Sequence, residues 1–201
     1  TDSNNTVVDN NNITTTGSGA SNFGIYLVTR ATSNNVTNNV INTSGTSNNY
    51  GINLDTSTND TILIGNNVTS GGSGASNYGV NIITRSYRNN VTNNLITTRG
   101  TTNNYGMQLS TDANTNVVNN NNITTTGTGA SNFGIYLVTR ATSNNITNNV
   151  INTSGTSNNY GIQLDEATND TIILNNSITA GGSGASNRGI RVLTTSFRNN
   201  L

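Results

Sequence analysis

The sequence predicts an all-β solenoid, a parallel β-helix of about seven coils that covers residues 1–201 as one array. Three observations support this prediction. An aromatic-glycine-aliphatic signature recurs at a nearly constant interval along the whole chain. The residues after each glycine alternate between apolar and polar. Despite its many asparagines and glycines, the chain contains no Asn-Gly or Asp-Gly dipeptide, the strongest marker of a β-hairpin.

The lengths of the coils follow a regular pattern. Successive signature glycines are separated by 27 and 28 residues in alternation, so two coils make 55 residues and four make 110. The segment FGIYLVTRATSNN begins at Phe23 and returns unchanged at Phe133. The signature glycines are Gly24, Gly51, Gly79, Gly106, Gly134, Gly161 and Gly189.

A second apolar column is predicted 11 residues before each glycine. It comprises Ile13, Val40, Val68, Leu95, Ile123, Val150 and Ile178. Because this spacing is constant, we expect the extra residue of each longer coil to lie between the glycine and the next aliphatic residue.

The pattern after each glycine has period two, as in Ile25 and Leu27 or Met107 and Leu109, which indicates strands. No stretch shows the 3.6-residue stripe of an amphipathic helix. Strands that recur every coil without hairpins stack in parallel, about 4.8 Å apart.

Polar residues also form columns. In a parallel stack, an asparagine amide can donate to one rung and accept from the next, so we expect asparagine ladders at the corners. The first predicted ladder is Asn22, Asn49, Asn77, Asn104, Asn132, Asn159 and Asn187. The second is Asn11, Asn38, Asn66, Asn93, Asn121, Asn148 and Asn176. The aromatic column is Phe23, Tyr50, Tyr78, Tyr105, Phe133 and Tyr160, which strand parity places in the interior or at a corner.

The recurring N-N-V/I/L followed by Y/F-G-I-x-L resembles the right-handed parallel β-helix repeat family of the pectate-lyase-like superfamily. This family includes repeats of periplasmic copper-site maturation proteins and of carbohydrate-binding and hydrolase modules. The resemblance covers the whole chain and implies the fold and its right-handedness. It transfers no catalytic residue, because the motif describes scaffold positions.

Composition excludes several functions. The chain has 45 Asn and 36 Thr, and its eight Arg balance eight acidic residues, so it lacks the basic surface expected for nucleic acid or an anionic membrane. Its apolar runs are too short to span a bilayer. Without Cys or His, it has no disulfide and no ligand set for a transition metal. We expect no cofactor, and an extracellular or cell-surface location.

The acidic residues do not predict an active site. Asp55 and Asp165 occupy the same position one long period apart, about 19 Å along the stack, whereas glycosidase carboxylates lie roughly 5–10 Å apart. We therefore expect no catalytic, cofactor-binding or metal-binding residue and interpret the chain as a non-enzyme. The acids are Asp2, Asp9, Asp55, Asp60, Asp112, Asp165, Glu166 and Asp170.

Two further columns have alternative interpretations. Arg30, Arg85 and Arg140 recur every second coil, about 10 Å apart, as an anion-binding stripe or as solubilising charges. A threonine column invites comparison with ice-binding surfaces, but no second threonine column accompanies it. It comprises Thr29, Thr56, Thr84, Thr111, Thr139 and Thr194 and is broken by Glu166.

The leading hypothesis is a structural module, a stretch of an extracellular fibre, adhesin stalk or sheath, because no coil departs from the others. Neither end looks like a cap, so we expect a segment of a longer repetitive chain, or self-association along the axis. The alternative is a module that binds or cleaves carbohydrate. Its groove would combine the outward residues Tyr26, Asn53, Asn81, Gln108, Tyr136, Gln163 and Arg191.

Overall fold

The computed structural model describes residues 3–193 and 195–201. Within them, 21 strands form three seven-stranded parallel sheets, and no helix occurs. Every coil gives one strand to each sheet, and each strand pairs with its counterpart in the next coil. The predicted all-β solenoid of about seven coils is confirmed. Its handedness stays a prediction from the resemblance.

The strands follow one another in the order sheet A, sheet B, sheet C within each coil. Sheet A contains β1 Val7–Asp9, β4 Asn35–Thr37, β7 Ile62–Ile64, β10 Asn90–Thr92, β13 Val117–Asn119, β16 Asn145–Thr147 and β19 Ile172–Leu174. Sheet B contains β2 Asn12–Thr16, β5 Val40–Gly45, β8 Asn67–Gly72, β11 Leu95–Gly100, β14 Asn122–Gly127, β17 Val150–Ser154 and β20 Ser177–Ala180. Sheet C contains β3 Phe23–Leu27, β6 Tyr50–Leu54, β9 Tyr78–Ile82, β12 Tyr105–Ser110, β15 Phe133–Val138, β18 Tyr160–Leu164 and β21 Arg188–Val192.

Aliphatic side chains from all three sheets fill the interior. In a central coil, Val91 of sheet A, Ile96 of sheet B and Met107 and Leu109 of sheet C are fully buried. Each such side chain contributes roughly 1.5–3 kcal/mol on burial. The apolar residues of the alternation predicted after each glycine are thus the inward-facing residues of sheet C.

The predicted apolar column of sheet B is wrong at alternate coils. Val40, Leu95 and Val150 are 41%, 43% and 51% exposed and point outward. The following residues take the inward positions, so the observed column is Ile13, Ile41, Val68, Ile96, Ile123, Ile151 and Ile178. A shift of one residue along a strand exchanges the residues on its two faces. At those coils, the predicted residue therefore faces solvent and its neighbour faces the core.

The extra residue of the longer coil is also misplaced by the prediction. Sheet B leads into sheet C through four residues at 46–49 but through five at 73–77, while the pairing registers of both flanking strands stay continuous. The adjustable turn therefore lies before the signature glycine, and the turn after it is constant.

The first predicted asparagine ladder is confirmed along its full length. At the corner before sheet C, each side-chain amide donates to the carbonyl oxygen of the next, with distances of 2.7–3.1 Å. The members Asn49, Asn77, Asn104, Asn132 and Asn159 are fully buried. Each corner thus satisfies its polar groups against the next coil.

The second ladder exists, but three of its predicted members are wrong. The bonded column between sheets A and B is Asn11, Asn39, Asn66, Asn94, Asn121, Asn149 and Asn176. The predicted Asn38, Asn93 and Asn148 lie one residue earlier, exposed at the corner with φ of 54°, 58° and 57°. Asparagine tolerates this left-handed conformation, so both residues of each Asn-Asn pair have a structural role.

A third amide column, which was not predicted, lies between sheets C and A. Asn89, Asn116 and Asn144 are linked through their side chains at 3.1 and 3.2 Å. Threonine replaces asparagine at Thr6, Thr61 and Thr171, where only the backbone N–H donates to the next side chain. These interruptions hid the column in the sequence.

Candidate functional site

The outer face of sheet C carries the candidate site, because the aromatic column lies there and not in the interior. A Cβ atom added to Gly24 would lie 2.3 Å from Ile41 Cγ2, so the glycine faces the core. The pairing register passes from Phe23↔Tyr50 to Ile25↔Ile52 and skips the glycine. This local break in the alternation turns the preceding aromatic residue outward. Of the two predicted positions of the aromatic column, the interior is therefore wrong, and the rings lie where sheet C begins, directly after the corner.

The outward rings form a continuous column along the axis. Adjacent ring centroids are 4.7–5.3 Å apart from Phe23 to Tyr160. Most pairs are stacked with interplanar angles of 4–20°, but Tyr78 and Tyr105 meet edge to face at 72°. The column repeats at the strand spacing, and because stacked neighbours cover most of the ring faces, the half-buried rings present mainly their edges to the surface.

Tyr26 and Tyr136 stand at equivalent positions of the two long periods but adopt different poses. Tyr26 lies flat on Phe23, with centroids 4.7 Å apart and an interplanar angle of 13°. Tyr136 meets both Tyr105 and Phe133 edge to face at 5.2 Å, with angles of 64° and 71°. The upright Tyr136 borders a space beside the column.

That space is an open groove of about 410 Å³. Aromatic rings form one part of its lining, and corner residues and outward polar residues of sheet C form the rest. The lining residues are Asn103, Tyr105, Ser131, Phe133, Tyr136, Asn158, Tyr160, Gln163 and Arg191. Of the residues predicted for the carbohydrate groove, Tyr136, Gln163 and Arg191 lie together here, and Tyr26, Asn53 and Asn81 lie in the earlier coils of the same face. Gln108 pairs with Tyr136 in the same outward column.

The sequence did not predict that the rings of Tyr105, Phe133 and Tyr160, or the corner residues, line this groove. Asn103, Ser131 and Asn158 have φ of 54°, 62° and 53°, which turn the chain into sheet C. The invariant glycine was the available signal, since a residue without Cβ in a strand marks a close approach of chain segments.

Two of the groove tyrosines, Tyr105 and Tyr136, stay protonated at physiological pH. Burial, followed by the negative charges of Asp165 and Glu166, raises the pKa of Tyr136 to about 12, although Arg191 opposes the shift. Burial also raises the pKa of Tyr105, with smaller effects of Tyr78 and Tyr136. In the earlier coils, burial raises the pKa of Tyr50 to about 12. These hydroxyl groups are therefore neutral and able both to donate and to accept hydrogen bonds.

Polar contacts at the downstream end of the groove involve Arg191 and Gln163. The guanidinium carbon of Arg191 lies 4.9 Å from the Tyr160 ring centroid, and its Nη1 donates to Tyr160 Oη at 3.3 Å. Gln163 is 4% exposed, and its Nε2 donates to Asp165 Oδ2 at 3.3 Å. Its Oε1 is buried with no hydrogen-bond partner in the described part of the chain.

The other acidic residues make structural contacts. Asp60 and Asp170 form bidentate ion pairs with Arg88 and Arg198 of the next coil, at 2.7 Å. Glu166 Oε2 accepts from Thr139 Oγ1 at 2.7 Å. Among the described residues, no group of three His, Cys, Asp or Glu side chains is arranged to hold a metal ion. Asp2 lies outside the described residues.

The arginine and threonine columns lie at the corner after sheet C. Arg140 is paired with Asp112 of the preceding coil at 2.8 and 3.0 Å, so the predicted stripe of Arg30, Arg85 and Arg140 is neutralised at that coil.

The threonine column has left-handed φ of 49–59° at Thr29, Thr56, Thr84, Thr111 and Thr139. The residues two positions later are buried at Ala31, Thr58 and Ala113. The threonines thus belong to a corner and not to a flat sheet. Thr194 lies outside the described residues.

Comparison with known proteins supports the fold. No family model and no curated protein matches the chain by sequence. Among solved structures, it is similar to the crystal structure of the Dettilon tailspike protein, with a TM-score of 0.54 and 14% identity. The match covers 97% of this chain and 43% of the tailspike chain. In the described part of this chain, no helix is long and apolar enough to cross a membrane. The similarity supports a β-helix repeat fold, while membership of the pectate-lyase-like superfamily stays a prediction.

Proposed function

We propose that the chain is a structural module of an extracellular or cell-surface rod. The observation that carries this proposal is the uniformity of the stack. All three sheets are continuous through seven strands, and asparagine ladders accompany two of the corners from the first coil to the last. Six steps of about 4.8 Å give the array a length of roughly 29 Å. Such a stack extends by adding coils, without altering those already present.

The rod is extended along its axis, by more of the same chain or by stacking of further copies. The parallel pairing supports this part of the proposal, because the strands of each sheet pair with their counterparts in the adjacent coils. A further coil would use the same kind of backbone pairing that joins the coils within the array. The inward residues Ile162 and Leu164, which have a coil on each side, are fully buried.

Light scattering and negatively stained images over a range of protein concentrations test axial stacking. We expect particles longer than one array at high concentration. Ile190→Lys should shorten them, because it places a charge at the pairing edge, while Ile172→Lys, on the outer face of sheet A, should not. A 21.0 kDa monomer at every concentration would contradict stacking of copies.

A second candidate function is carbohydrate binding at the groove of sheet C. It is favoured by one observation, the combination of the half-buried rings of Tyr105 and Tyr136 with neutral hydroxyl and amide groups in one open groove. Aromatic rings offer apolar faces to the C–H surface of a sugar, and amides fix its hydroxyl groups. We propose binding without cleavage. Asp165 and Glu166, the acids beside the groove, accept hydrogen bonds from the chain itself.

An array of immobilised oligosaccharides tests this second function. We expect the wild-type chain to retain at least one class of glycan, and Tyr136→Ala to reduce that binding by about tenfold, because it removes a ring from the groove. Tyr87→Ala is the matched control, since Tyr87 is a half-buried tyrosine outside the groove lining. Equal binding by the two variants would exclude the groove.

A further inference from the structure

The two long periods of the chain give the outer face of sheet C different charges. In the first two coils of each period the aromatic residues of this face are the same, with Phe23, Tyr26 and Tyr50 recurring as Phe133, Tyr136 and Tyr160. The third coil, however, has Tyr78 and Asn81, where the seventh coil has Arg188 and Arg191. Both arginines lie in outward columns of sheet C, one in the aromatic column and one in the column of Gln163.

These two arginines keep their hydrogen-bonding capacity. Within residues 3–193 and 195–201, neither guanidinium has a carboxylate oxygen within 4.0 Å, whereas Arg88, Arg140 and Arg198 are each paired with an aspartate. The guanidinium carbons of Arg188 and Arg191 lie 5.8 and 4.9 Å from the centroid of Tyr160, so both cations lie near one ring, and Arg191 lines the groove itself. A guanidinium with free N–H groups is suited to bind a carboxylate or another oxyanion.

A buried amide gives a second, independent indication of a ligand. Gln163 lines the groove beside Arg191 and is 4% exposed, and its Oε1 has no hydrogen-bond partner in the described chain. A buried acceptor without a partner is unfavourable, so a hydroxyl donor at this point would stabilise the site. Because the atom is shielded, one of the neighbouring lining side chains has to move to admit that donor.

The acidic residues near the groove lower its net charge, but the two long periods still differ in charge. Asp165 and Glu166 oppose Arg188 and Arg191, which leaves the second period neutral at this end. The equivalent positions of the first period hold the single acid Asp55 with Thr56, Tyr78 and Asn81. The downstream face is therefore one unit more positive than its counterpart, and both arginines lie near Tyr160, which lines the groove.

We propose that the downstream groove selects an anionic sugar, one that carries a carboxylate or a sulfate group. Arg191, assisted by Arg188, binds the anionic group, Gln163 accepts from a neighbouring hydroxyl group, and Tyr136 contacts the sugar ring. The upstream face, with Tyr78 and Asn81, lacks this selectivity. This inference rests on the second proposed function, glycan binding by the same groove.

Three probes with one backbone test the inference: dextran oligosaccharides, their carboxymethylated form and their sulfated form. We expect the wild-type chain to bind at least one anionic form about tenfold more tightly than dextran in calorimetry or a competition assay. The variant R188Y/R191N, which copies the residues of the third coil, should lose this preference. Its thermal melt should match that of the wild type.

A charge-matched control separates the groove from general attraction. The variant R85T/R99T also removes two positive charges, but at exposed positions outside the groove lining, and should keep the preference for anionic probes. Loss of the preference in both variants would overturn the inference, because net charge alone would explain it. Equal binding of neutral and anionic forms would overturn it while leaving glycan binding intact. Binding of none of the three probes or of any arrayed glycan would overturn both.

Discussion

The two amide columns that flank sheet A differ in continuity. Between sheets A and B, every coil has an asparagine, and each side-chain amide donates to the next at 2.9–3.1 Å. Between sheets C and A, threonine interrupts the column, and Asn34, next to Thr61, has a buried Nδ2 with no partner in the described chain. Threonine fits the corner, but its side chain has no amide oxygen to accept a hydrogen bond from the asparagine of the preceding coil. An unbroken ladder therefore requires asparagine in every coil, and a replacement can leave the neighbouring amide unsatisfied, as it does at Asn34.

The largest effect is expected from breaking the continuous ladder at its centre. Asn94 accepts at Oδ1 from the backbone N–H and the side-chain amide of Asn66, and its Nδ2 donates to Leu63 O, Thr92 O and Asn121 Oδ1. We expect Asn94→Ala to lower the free energy of unfolding in urea by about 3 kcal/mol, because it leaves buried groups unpaired in adjacent coils. Asn67→Ala, at an exposed strand position, should be close to neutral. Similar losses in both variants would show that the ladder is not stabilising.

Position along a ladder should set the size of the next effect. Asn104 is fully buried and bonded to Asn77 and Asn132, so we expect Asn104→Ala to cost roughly 1–3 kcal/mol. Asn187 also accepts from Asn159, but it lies in the outermost coil with its Nδ2 bonds exposed, so water can replace what Asn187→Ala removes. Thermal melts of the two variants measure this difference. An equal or reversed order would mean that burial does not decide the contribution of a ladder residue.

Repairing the interrupted column should stabilise the chain. Thr61→Asn supplies an amide oxygen to the unpaired Nδ2 of Asn34, and we expect the free energy of unfolding to rise by about 1 kcal/mol. Thr171→Asn is the matched control in the same column, because the preceding Asn144 already donates to Ala113 O at 3.0 Å. Urea unfolding of the two variants gives the comparison. A gain for Thr171→Asn as large as that for Thr61→Asn would refute the explanation.

The smallest effect is expected from the surface ion pairs between coils. The hydrogen bonds from Arg88 hold the pKa of Asp60 below its usual value, despite partial burial. A lowered folded-state pKa means that this contribution is present above the ordinary carboxyl pKa and is lost as the pH falls through the lowered value. Because Arg88 and Asp60 side chains are 59% and 41% exposed, the loss should be small. Melting temperatures of wild type and Asp60→Asn between pH 6 and pH 2.5 should converge at the acid end, and parallel curves would contradict the assignment.

The sequence was sufficient for the features that repeat and insufficient for those that depend on register. The glycine period, the parallel stacking and the ladder through Asn104 were predicted, because each is a column with constant spacing. At Val40 and Ile41, two adjacent aliphatic residues were both acceptable, and spacing favoured the wrong one. Only the pairing of sheet B decides which of the two faces the core.

The candidate site shows the same limit. Parity correctly placed Tyr136, Gln163 and Arg191 on the outer face of sheet C. It misplaced Phe133 because the chain breaks its alternation at Gly134, where an added Cβ would lie 2.2 Å from Ile151 Cγ2. The different poses of Tyr26 and Tyr136 were not predictable, since their local sequences are the same and only the neighbouring coils differ.

The central claim is that ladder bonds between adjacent coils hold this stack together, and a double-mutant cycle tests it most directly. Asn94 donates to Asn121 Oδ1 from both its backbone N–H and its Nδ2 at 3.0 Å, whereas Asn149 lies one coil further along the same ladder. For Asn94→Ala combined with Asn121→Ala, we predict a coupling free energy of about 1 kcal/mol in urea unfolding. For Asn94→Ala combined with Asn149→Ala, the effects should add to within about 0.5 kcal/mol. Additive losses for the adjacent pair would contradict the claim.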